Sequence, residues 1–478
     1  MTQRTVDIAI IGAGSAGMSA YRAARKHTDS IVVIEAGPYG TTCARVGCMP
    51  SKLLIAAADA ARAVREAPHF GVNARLDAID GRAVMQRVRD ERDRFVGFVV
   101  DTVNDWPDAH RLRGHARFVK PGVLVVDGTE ITARCIIIAT GASPNVPSGW
   151  RSALGDRLVV NDDVFNWATL PASVAVVGTG IIGLELAQAL SLLGVRVRLL
   201  GRNGKVGPLT DPALQRLSHD LVTSTLAVAA DAEIREVTRQ GDAVQVRFQD
   251  ADGLHEERFD CLLAATGRRP NLDDLNIENA GIARDAKGRV AFDRETQQIG
   301  TLPVFIAGDV HGTRPLLHEA SDDGRIAGDN AGRWPKLQRR PRRAPLSIVF
   351  SHPQIMMAGA SHAELVAQQA DFATGSVSFK SQGRARVMRV NHGALHVYGA
   401  HATGRFLGAE MIGPVAEHLG HVLAWSIQQG LTVQQMLDSP FYHPCIEEGL
   451  RTALRDLQGK LRLPPPANEP CIDCEVGR

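Results

Sequence analysis

Residues 7–35, DIAIIGAGSAGMSAYRAARKHTDSIVVIE, contain the pattern that decides the fold. An apolar run leads into Gly12-Ala13-Gly14-Ser15-Ala16-Gly17, a helical stretch follows, and a second apolar run ends at Glu35. In such a unit the three glycines allow a tight turn, close approach of a pyrophosphate, and close helix–strand packing. A terminal acid can accept hydrogen bonds from a ribose. A fortuitous glycine-rich turn is the alternative, but the stretch favours a dinucleotide site formed by Gly12, Gly14, Gly17 and Glu35.

The same pattern recurs over residues 174–200, where Gly178, Gly180 and Gly183 occupy the three glycine positions. The position 21 residues after Gly180 is Gly201 instead of an acid, and Arg202 follows it. Losing the carboxylate removes a group that would repel a 2′-phosphate, and an arginine can pair with that phosphate. The second unit is therefore predicted to bind NAD(P)(H) with a preference for NADP, although Arg202 could equally be a solvated surface residue.

Each unit is followed by a further apolar strand that ends in Thr-Gly. The first is Cys135–Ala139 before Thr140-Gly141, and the second is Cys261–Ala265 before Thr266-Gly267. Two copies of one plan indicate an internal duplication of a nucleotide-binding fold. Two nucleotide sites in one chain imply electron transfer between two cofactors, which predicts an oxidoreductase.

Composition limits the remaining function classes. The chain has 478 residues, enough for about three domains, and a formal net charge of +2. This charge gives no global field for nucleic acid or anionic lipid, and no apolar run approaches the roughly 18 residues that cross a bilayer. We therefore expect a cytoplasmic protein without a nucleic-acid or membrane partner. The seven cysteines include two closely spaced pairs, Cys43 with Cys48 and Cys471 with Cys474.

The first cysteine pair lies directly after the first unit, in GTTCARVGCMPSK (residues 40–52). Two thiols five positions apart can close a small ring, and the thiolate is the species that exchanges or donates charge. The stretch resembles the Cys-x-x-x-x-Cys-x-Pro-Ser-Lys signature of class I pyridine nucleotide–disulfide oxidoreductases. It departs from that family at Thr41, usually a glycine, and at Ala44-Arg45, where an asparagine usually follows the first cysteine by two residues. Two structural cysteines at a helix start are the alternative.

The resemblance implies that the protein binds FAD and that the two cysteines have different roles beside it. It makes Cys43 the thiol that meets the substrate and Cys48 the thiol that faces the flavin, with Lys52 near the flavin ring and paired with Glu185. Residues 301–309 resemble the family's second flavin motif, in which Asp309 binds the ribityl chain. His318 is expected to be structural or to line the flavin rather than to donate a proton. Further cofactor-binding positions implied by the resemblance are Ala116, Thr140, Gly141, Gly267, Leu316, Leu317 and His318.

A second motif, Phe441-Tyr442-His443-Pro444-Cys445-Ile446-Glu447-Glu448, resembles the family's His-Pro-x-x-x-Glu sequence. Histidine is a suitable base for a thiol proton at neutral pH, and a carboxylate on its other nitrogen fixes the tautomer. His443 is therefore the predicted acid–base catalyst and Glu448 the residue that orients it. In the family this histidine serves the thiols of the other subunit, which implies a homodimer. Cys445 replaces a usual threonine and is either a small structural residue or an extra thiol.

The predicted fold class is α/β, with two Rossmann-like dinucleotide-binding domains, for FAD and NAD(P), and a C-terminal α+β dimerisation domain. The arginine-rich linker 339–343 is expected to be a solvated interdomain loop. In the tail, Cys471 and Cys474 could form a redox relay, contribute half a metal site, or be inert; no resident metal is predicted. The predicted boundaries are 1–147 with 272–343 (FAD), 148–271 (NAD(P)), 344–463 (dimerisation) and 464–478 (tail).

The expected reaction moves electrons between NAD(P)H and a substrate disulfide or dithiol through Cys43 and Cys48. The overall pattern is most similar to dihydrolipoyl dehydrogenase-like members, so the expected partner is a small dithiol or disulfide or a lipoyl-bearing protein. An NADPH-dependent reductase of another disulfide or of mercuric ion is the alternative. A second alternative is a redox-sensing flavoprotein that does not turn over a substrate.

Overall fold

The computed structural model describes residues 2–463, and its chain divides into two compact units. The first unit runs to Val206 and resumes over Thr225–Arg342, and the second combines Gly207–Ser224 with the chain from Arg343 onward. The predicted tail pair Cys471 and Cys474 lies outside the described residues.

The first sheet of the first unit has a parallel core and an antiparallel extension. Its longest strands, Thr2–Ile11 and Thr129–Ile138, pair in parallel along nearly their whole length. The second of these pairs antiparallel with the extension through residues 129–132 and parallel with Val304–Ile306 through residues 136–138. Apolar residues fill both faces because helices and the extension cover them. The strand order is Arg111–Arg113, Ile31–Glu35, Thr2–Ile11, Thr129–Ile138, Val123–Val126 and Ala116–Lys120.

The second sheet repeats the parallel plan. A three-stranded antiparallel sheet of Glu233–Gln240, Ala243–Asp250 and Gly253–Phe259 follows its outer strand in the sequence. Ala142–Pro144 and Arg268–Pro270 pair antiparallel where the chain passes between the two sheets. The order of the parallel strands is Val228–Ala229, Arg196–Leu200, Ser173–Val177, Cys261–Ala264 and Leu158–Val159.

The two parallel sheets turn at equivalent glycines. Gly12 has φ +107°, and a Cβ there would lie 2.3 Å from the carbonyl oxygen of Ala139. Gly178 has φ +117°, and a Cβ there would lie 2.2 Å from the carbonyl oxygen of Ala265. Only glycine fits both the left-handed conformation and the close approach. The predicted duplication is therefore repeated in the backbone geometry.

The helix Leu317–Arg333 crosses the first glycine-loop helix, Ser15–Ala24, at very short range. A Cβ at Gly324 would lie 2.1 Å from the carbonyl oxygen of Ala16, and one at Gly328 would lie 2.2 Å from that of Ala20. Small residues four apart let the two backbones meet. The remaining helices of the first unit are Thr42–Val46, Cys48–Glu66, Gly81–Asn104, Trp150–Leu154, Asn161–Val164 and Ile181–Leu192.

The second unit is an antiparallel sheet with helices. Its strands Ala394–Ala400 and Phe406–Gly413 pair antiparallel with each other. Helices pack on one face, where an apolar core includes Leu395, Val397 and Leu457. The strand order is Leu346–Val349, Gln354–Gly359, Phe406–Gly413, Ala394–Ala400 and Phe372–Ser378. The helices are Pro212–Thr223, His362–Ala367, Gly383–Val387, Ala416–Gln428, Val433–Leu437 and Glu447–Lys460.

Two segments differ from the sequence-based expectation. Residues 207–224 fall within the predicted NAD(P) domain, yet their contacts place them in the second unit. Buried Glu410 accepts hydrogen bonds from the backbone N–H groups of Thr210 (2.6 Å) and Asp211 (3.0 Å), which fixes this segment to the C-terminal sheet. The expectation that linker 339–343 is solvated is wrong for Arg342, whose side chain is only 14% exposed because it pairs with buried carboxylates.

No helix within residues 2–463 is long and apolar enough to cross a membrane.

Candidate active site

Both glycine loops leave room where a pyrophosphate would approach. A Cβ at Gly17 or Gly183 would lie 1.8 Å from the carbonyl oxygen of the first glycine of its loop, which makes both positions tightly packed. At Gly14 and Gly180, in contrast, a Cβ would meet nothing within 4 Å. Each of these middle glycines precedes a helix, so free backbone N–H groups face the open space. The loops therefore fit a dinucleotide phosphate at both predicted positions.

Glu35 lies beside the first loop at the end of its strand. One carboxylate oxygen accepts a hydrogen bond from the backbone N–H of Ala13 (2.7 Å), and the other accepts one from Gly37 (2.8 Å). These bonds hold the carboxylate next to the glycine loop, where a ribose hydroxyl would donate to it. The glycine loop of Gly12, Gly14 and Gly17, together with the carboxylate of Glu35, thus fits the adenosine half of FAD.

The turn that carries Asp309 adjoins the same loop. Gly308 has φ +81°, and a Cβ there would lie 2.9 Å from Cβ of Ala16, so the turn packs directly on the helix that begins at the glycine loop. Asp309 is half-buried, and burial raises the pKa of its carboxyl despite the opposing charge of Arg268. The structure therefore places Asp309 near the predicted phosphate position, as a ribityl-binding role requires.

The two predicted redox cysteines lie at consecutive helix starts. Cys43 is in the short helix Thr42–Val46, and Cys48 begins the long helix Cys48–Glu66. Thr41 precedes the first helix with φ 56° and ψ 150°, and its hydroxyl oxygen accepts a hydrogen bond from the N–H of Ala44 (3.2 Å). A threonine here adopts a backbone conformation that favours glycine, the residue usual in the family.

The thiol of Cys43 donates a hydrogen bond to the sulfur of Cys48. A hydrogen bond from Cys43, aided by the charge of Lys52, lowers the pKa of Cys48 to about 7, although burial opposes the shift. Donating that bond, together with burial, raises the pKa of Cys43 far above its ordinary value. Cys48 is exposed and Cys43 half-buried. The two thiols are thus distinct: Cys48 ionises near neutral pH, whereas Cys43 keeps its proton.

Lys52 and Glu185 form the ion pair that the resemblance implies. The Nζ atom of Lys52 lies 2.7 Å from Oε2 of Glu185, whose side chain is 5% exposed. Lys52 lies one helical turn after Cys48, and Glu185 begins the second turn of the helix after the second glycine loop. The pair connects the cysteine helix with the second nucleotide unit.

The two Thr-Gly turns are secured by reciprocal asparagines. The hydroxyl of Thr140 donates to the carbonyl of Asn271 (2.7 Å), and the N–H of Asn271 donates to the carbonyl of Gly141 (3.0 Å). In the second copy, the hydroxyl of Thr266 donates to the carbonyl of Asn145 (2.6 Å). Neither asparagine was predicted from the sequence, although each directly follows a short strand, Ala142–Pro144 or Arg268–Pro270.

The backbone is closely packed at the end of the strand Arg196–Leu200, where the ribose of the second nucleotide would bind. A Cβ at Gly201 would lie 2.4 Å from Cγ2 of Thr179, a glycine-loop residue, and 3.0 Å from the carbonyl oxygen of Ala230. Arg202 and Lys205 follow and are exposed. The site therefore has no space for an acid at position 201 and has two cations beside it.

His443 and Glu448 lie together in the second unit. Nδ1 of His443 is 3.0 Å from Oε1 of Glu448, and the histidine side chain is 80% exposed. Although burial opposes it, the hydrogen bond from His443 contributes to lowering the pKa of Glu448. An ionised carboxylate on Nδ1 leaves Nε2 available for proton transfer. This arrangement can take a proton from a thiol that approaches the exposed face.

Cys445 has a structural contact inside the same motif. Its thiol donates to the carbonyl of Tyr442 (2.7 Å), and its backbone N–H donates to Oε2 of Glu448 (3.2 Å). Burial raises the pKa of the thiol. These contacts favour the small structural residue over the extra reactive thiol.

The remaining predicted positions are less informative. Ala116 begins the outer strand of the antiparallel extension and is buried in the core. Leu316 precedes the helix Leu317–Arg333, in whose first turn Leu317 and His318 are exposed. Gly267 has φ +102° and accepts a hydrogen bond from the N–H of Asn145 (2.9 Å). Within residues 2–463, no three His, Cys, Asp or Glu side chains are grouped so as to hold a metal ion.

Proteins of known function align with almost the whole chain. It is 29% identical to mycothione reductase of Mycobacterium tuberculosis, covering 95% of this chain and 100% of that protein. It is 31% identical to mercuric reductase of Acidithiobacillus ferrooxidans (93% and 81%) and 27% identical to dihydrolipoyl dehydrogenase of Chlamydia trachomatis (96% and 98%).

Solved structures share the fold. The flavoprotein disulfide reductase RclA of Escherichia coli superposes with a TM-score of 0.78, and LpdA of Mycobacterium tuberculosis with 0.80. Both are 24% identical and cover 95% of this chain and 99% of their own.

Family models cover both units. Residues 6–324 match the pyridine nucleotide-disulphide oxidoreductase model, and residues 346–454 match the dimerisation domain of the same family, which supports a homodimer. The predicted fold class and reaction class are confirmed, with FAD and NAD(P) as the cofactors that the family implies. The chain belongs to the pyridine nucleotide–disulphide oxidoreductases, the flavoproteins that move electrons between NAD(P)H and a dithiol–disulfide couple.

Proposed function

We propose that this protein is an NADPH-dependent reductase of a small disulfide, acting through Cys43 and Cys48. The observation that carries the nucleotide choice is the packing of Gly201 against Thr179, next to exposed Arg202. A carboxylate at position 201 would bind the ribose of NAD and repel a 2′-phosphate, and the tight packing excludes it. NADPH favours reduction of a disulfide over oxidation of a dithiol.

The nucleotide proposal is supported by how the turn after Leu200 is held. The backbone N–H of Asn203 donates to Asp231 (3.0 Å), and that of Gly204 donates to the carbonyl of Ala230 (3.1 Å). These bonds fix the backbone between the exposed Arg202 and Lys205 side chains. Two cations on a fixed turn suit a doubly charged phosphate.

The proposed roles of the thiols follow from their unequal proton affinities. A bound flavin supplies two-electron exchange with the nicotinamide and with the cysteine pair. Because Cys43 keeps its proton, it needs a base, and we assign that step to His443 of the partner subunit. The Cys43 thiolate attacks the substrate disulfide, forming a mixed disulfide and releasing one substrate thiolate, which the imidazolium protonates. Cys48 then attacks Cys43, which closes the internal disulfide and releases the second substrate thiol.

A dihydrolipoyl dehydrogenase-like activity is the second candidate. It is supported by the pattern of motifs and by the near full-length similarity to the enzyme of that name from Chlamydia trachomatis. Its substrate would be a lipoyl-bearing protein and its nucleotide NAD. The similarity to mercuric reductase adds mercuric ion as a further substrate to test.

The nucleotide proposal is tested by anaerobic flavin reduction with NADPH and with NADH. We expect Arg202→Ala to lower kcat/KM for NADPH by about tenfold or more, since a charge-assisted phosphate contact is lost, and to leave NADH unchanged. Arg151→Ala, which removes another exposed arginine of the first unit, is the matched control. A wild-type preference for NADH that Arg202→Ala leaves unaltered would refute the NADPH proposal.

The substrate class is tested by turnover with oxidised glutathione, mycothione, lipoamide, dihydrolipoamide and mercuric ion. NADPH-driven reduction of one of the first two supports the proposal. Turnover of dihydrolipoamide with NAD alone supports the second candidate. If neither nucleotide reduces the flavin and no thiolate–flavin charge-transfer band appears, the chain is a redox sensor without turnover.

A further inference from the structure

The helix that follows the Asp309 turn buries several negative charges. Glu319, Asp322 and Asp323 lie in the first two turns of Leu317–Arg333, and their side chains are at most 8% exposed. Acidic side chains are rarely buried unless they are paired, because removing a carboxylate from water is costly. The packing of this helix on Ser15–Ala24 explains the burial but does not supply the compensating charge.

Arg342 supplies that charge to all three acids. Its guanidinium lies 2.7 Å from Glu319, 3.2 Å from Asp322 and 2.6 Å from Asp323. Arg325 also pairs with Asp322 (2.7 Å). Arg342 is thus a cation through which the linker is fixed to the first two turns of this helix. The predicted reaction makes no use of it.

Asp323 links Arg342 to the turn that carries Asp309, because it also binds two residues of that turn. Its second oxygen accepts hydrogen bonds from Nε2 of His311 (2.7 Å) and from the backbone N–H of Gly308 (3.2 Å). The N–H of Thr313 donates to Nδ1 of His311 (3.1 Å), so Nδ1 is an acceptor and Nε2 holds the proton that Asp323 receives. The residues on both sides of Asp309 are therefore held by one carboxylate, and Arg342 holds that carboxylate.

We propose that Arg342 is a positioning residue for flavin binding, which acts through Asp323 to fix the turn 308–311 and thereby Asp309. Arg342 has no place at the substrate or at the nicotinamide. The guanidinium neutralises buried charge and sets the orientation of Asp323, because its planar fork reaches more than one carboxylate at once. The inference rests on the predicted role of Asp309 and not on the proposed substrate or nucleotide, so either proposal can fail without the other.

The test compares flavin release with unfolding in the full-length holoenzyme. Flavin fluorescence reports FAD release and far-ultraviolet circular dichroism reports unfolding, both along one urea titration. For Arg342→Met we expect FAD to dissociate at least about tenfold faster in buffer than from the wild type, and to leave at urea concentrations where the chain is still folded. A purely structural role would move both transitions together.

A matched control and two graded variants complete the experiment. Arg340→Met removes a positive charge from the same linker, and Arg340 pairs with an acid of the same helix, Asp329 (2.8 Å). Asp329 also has Arg333 and His27 as partners, so it stays paired in this variant. We expect its FAD release to be unchanged. Asp323→Asn should release FAD early, like Arg342→Met, and Arg342→Lys should be intermediate. FAD release that stays coincident with unfolding in both Arg342→Met and Asp323→Asn would overturn the proposal.

Discussion

The ammonium group of Lys52 is 2.7 Å from the buried carboxylate of Glu185, so the helix that begins at Cys48 is joined to the helix that follows the second glycine loop. The two charges act on Cys48 in opposite directions. Lys52 helps to lower the pKa of the thiol, and Glu185 raises it. The pair therefore contributes to the protonation state of Cys48, the thiol that is predicted to face the flavin.

Removing either charge should shift the titration of Cys48 in a predictable direction. Lys52→Met should raise the pKa of Cys48 above about 7, and Glu185→Gln should lower it. The measurement is the pH dependence of alkylation at Cys48 in the reduced protein, followed by mass spectrometry of its peptide. Arg62→Met removes another cation from the same helix, where it pairs with Asp59 and Glu66, and should leave the profile unchanged. Shifts of the same sign in both variants would contradict this account.

The backbone at Thr41 predicts a stabilising substitution. Thr41→Gly should raise the free energy of unfolding by about 1 kcal/mol, because relief of the positive φ exceeds the extra chain entropy and the lost hydroxyl cap. Urea unfolding measures the change. Thr41→Ser keeps both the cap and the constraint, so we expect wild-type stability. If the glycine variant is no more stable than the serine variant, the conformation at Thr41 carries no cost.

Loss of the exposed imidazole should separate the two half-reactions. His443→Gln should slow reduction of the disulfide substrate by about 10²–10⁴-fold, since Cys43 keeps its proton, and should leave flavin reduction by the nucleotide unchanged. Stopped-flow measurement of each half-reaction tests this. His418→Gln, another exposed histidine of the second unit, is the control. Equal slowing of both half-reactions by His443→Gln would exclude an acid–base role at the thiols.

Asp211 predicts a pH-dependent contribution to stability. Despite burial, its hydrogen bond with His396 (2.8 Å) and those with the helix N-terminus lower its pKa to about 2. A folded pKa below the unfolded value stabilises the protein above the unfolded pKa, and that stability is lost as the pH falls toward 2. The contribution is about 2 kcal/mol at neutral pH.

The test compares the unfolding free energy of Asp211→Asn with that of the wild type from pH 7 downward. The difference should be largest at neutral pH and shrink as the pH falls below about 4. Asp220→Asn, on the same helix but exposed, should give a small difference throughout. A constant difference for Asp211→Asn would mean that its role is packing or capping alone.

The sequence predicted the parts of the site that depend on a short local pattern. Gly12 and Gly178 were recognisable because a left-handed turn beside a crossing strand admits only glycine. The Lys52–Glu185 pair came from the family resemblance, since 133 residues separate the partners and no local pattern relates them.

The contacts that were missed depend on packing between distant segments. Gly324 and Gly328 resemble ordinary helix glycines in the sequence, and their purpose becomes visible only against Ala16 and Ala20. Arg342 resembles a solvated linker residue for the same reason. Its partners are acids of a helix, and the pattern of apolar and polar residues alone would place such acids on the surface. Burial of a charge is decided by tertiary neighbours, so periodicity does not predict it.

The shared geometry of the two glycine loops has a consequence for how this protein can change. The three glycines that shape each loop recur in both copies, and in both copies the first and third leave no room for a side chain. Discrimination between nucleotides therefore falls to positions beyond the loops, such as Glu35 in the first copy and Gly201 in the second. Substitution at Gly201 or its neighbours can therefore change which nicotinamide nucleotide supplies electrons while the fold stays the same. The duplicated fold can thus remain unchanged while the choice of electron donor changes.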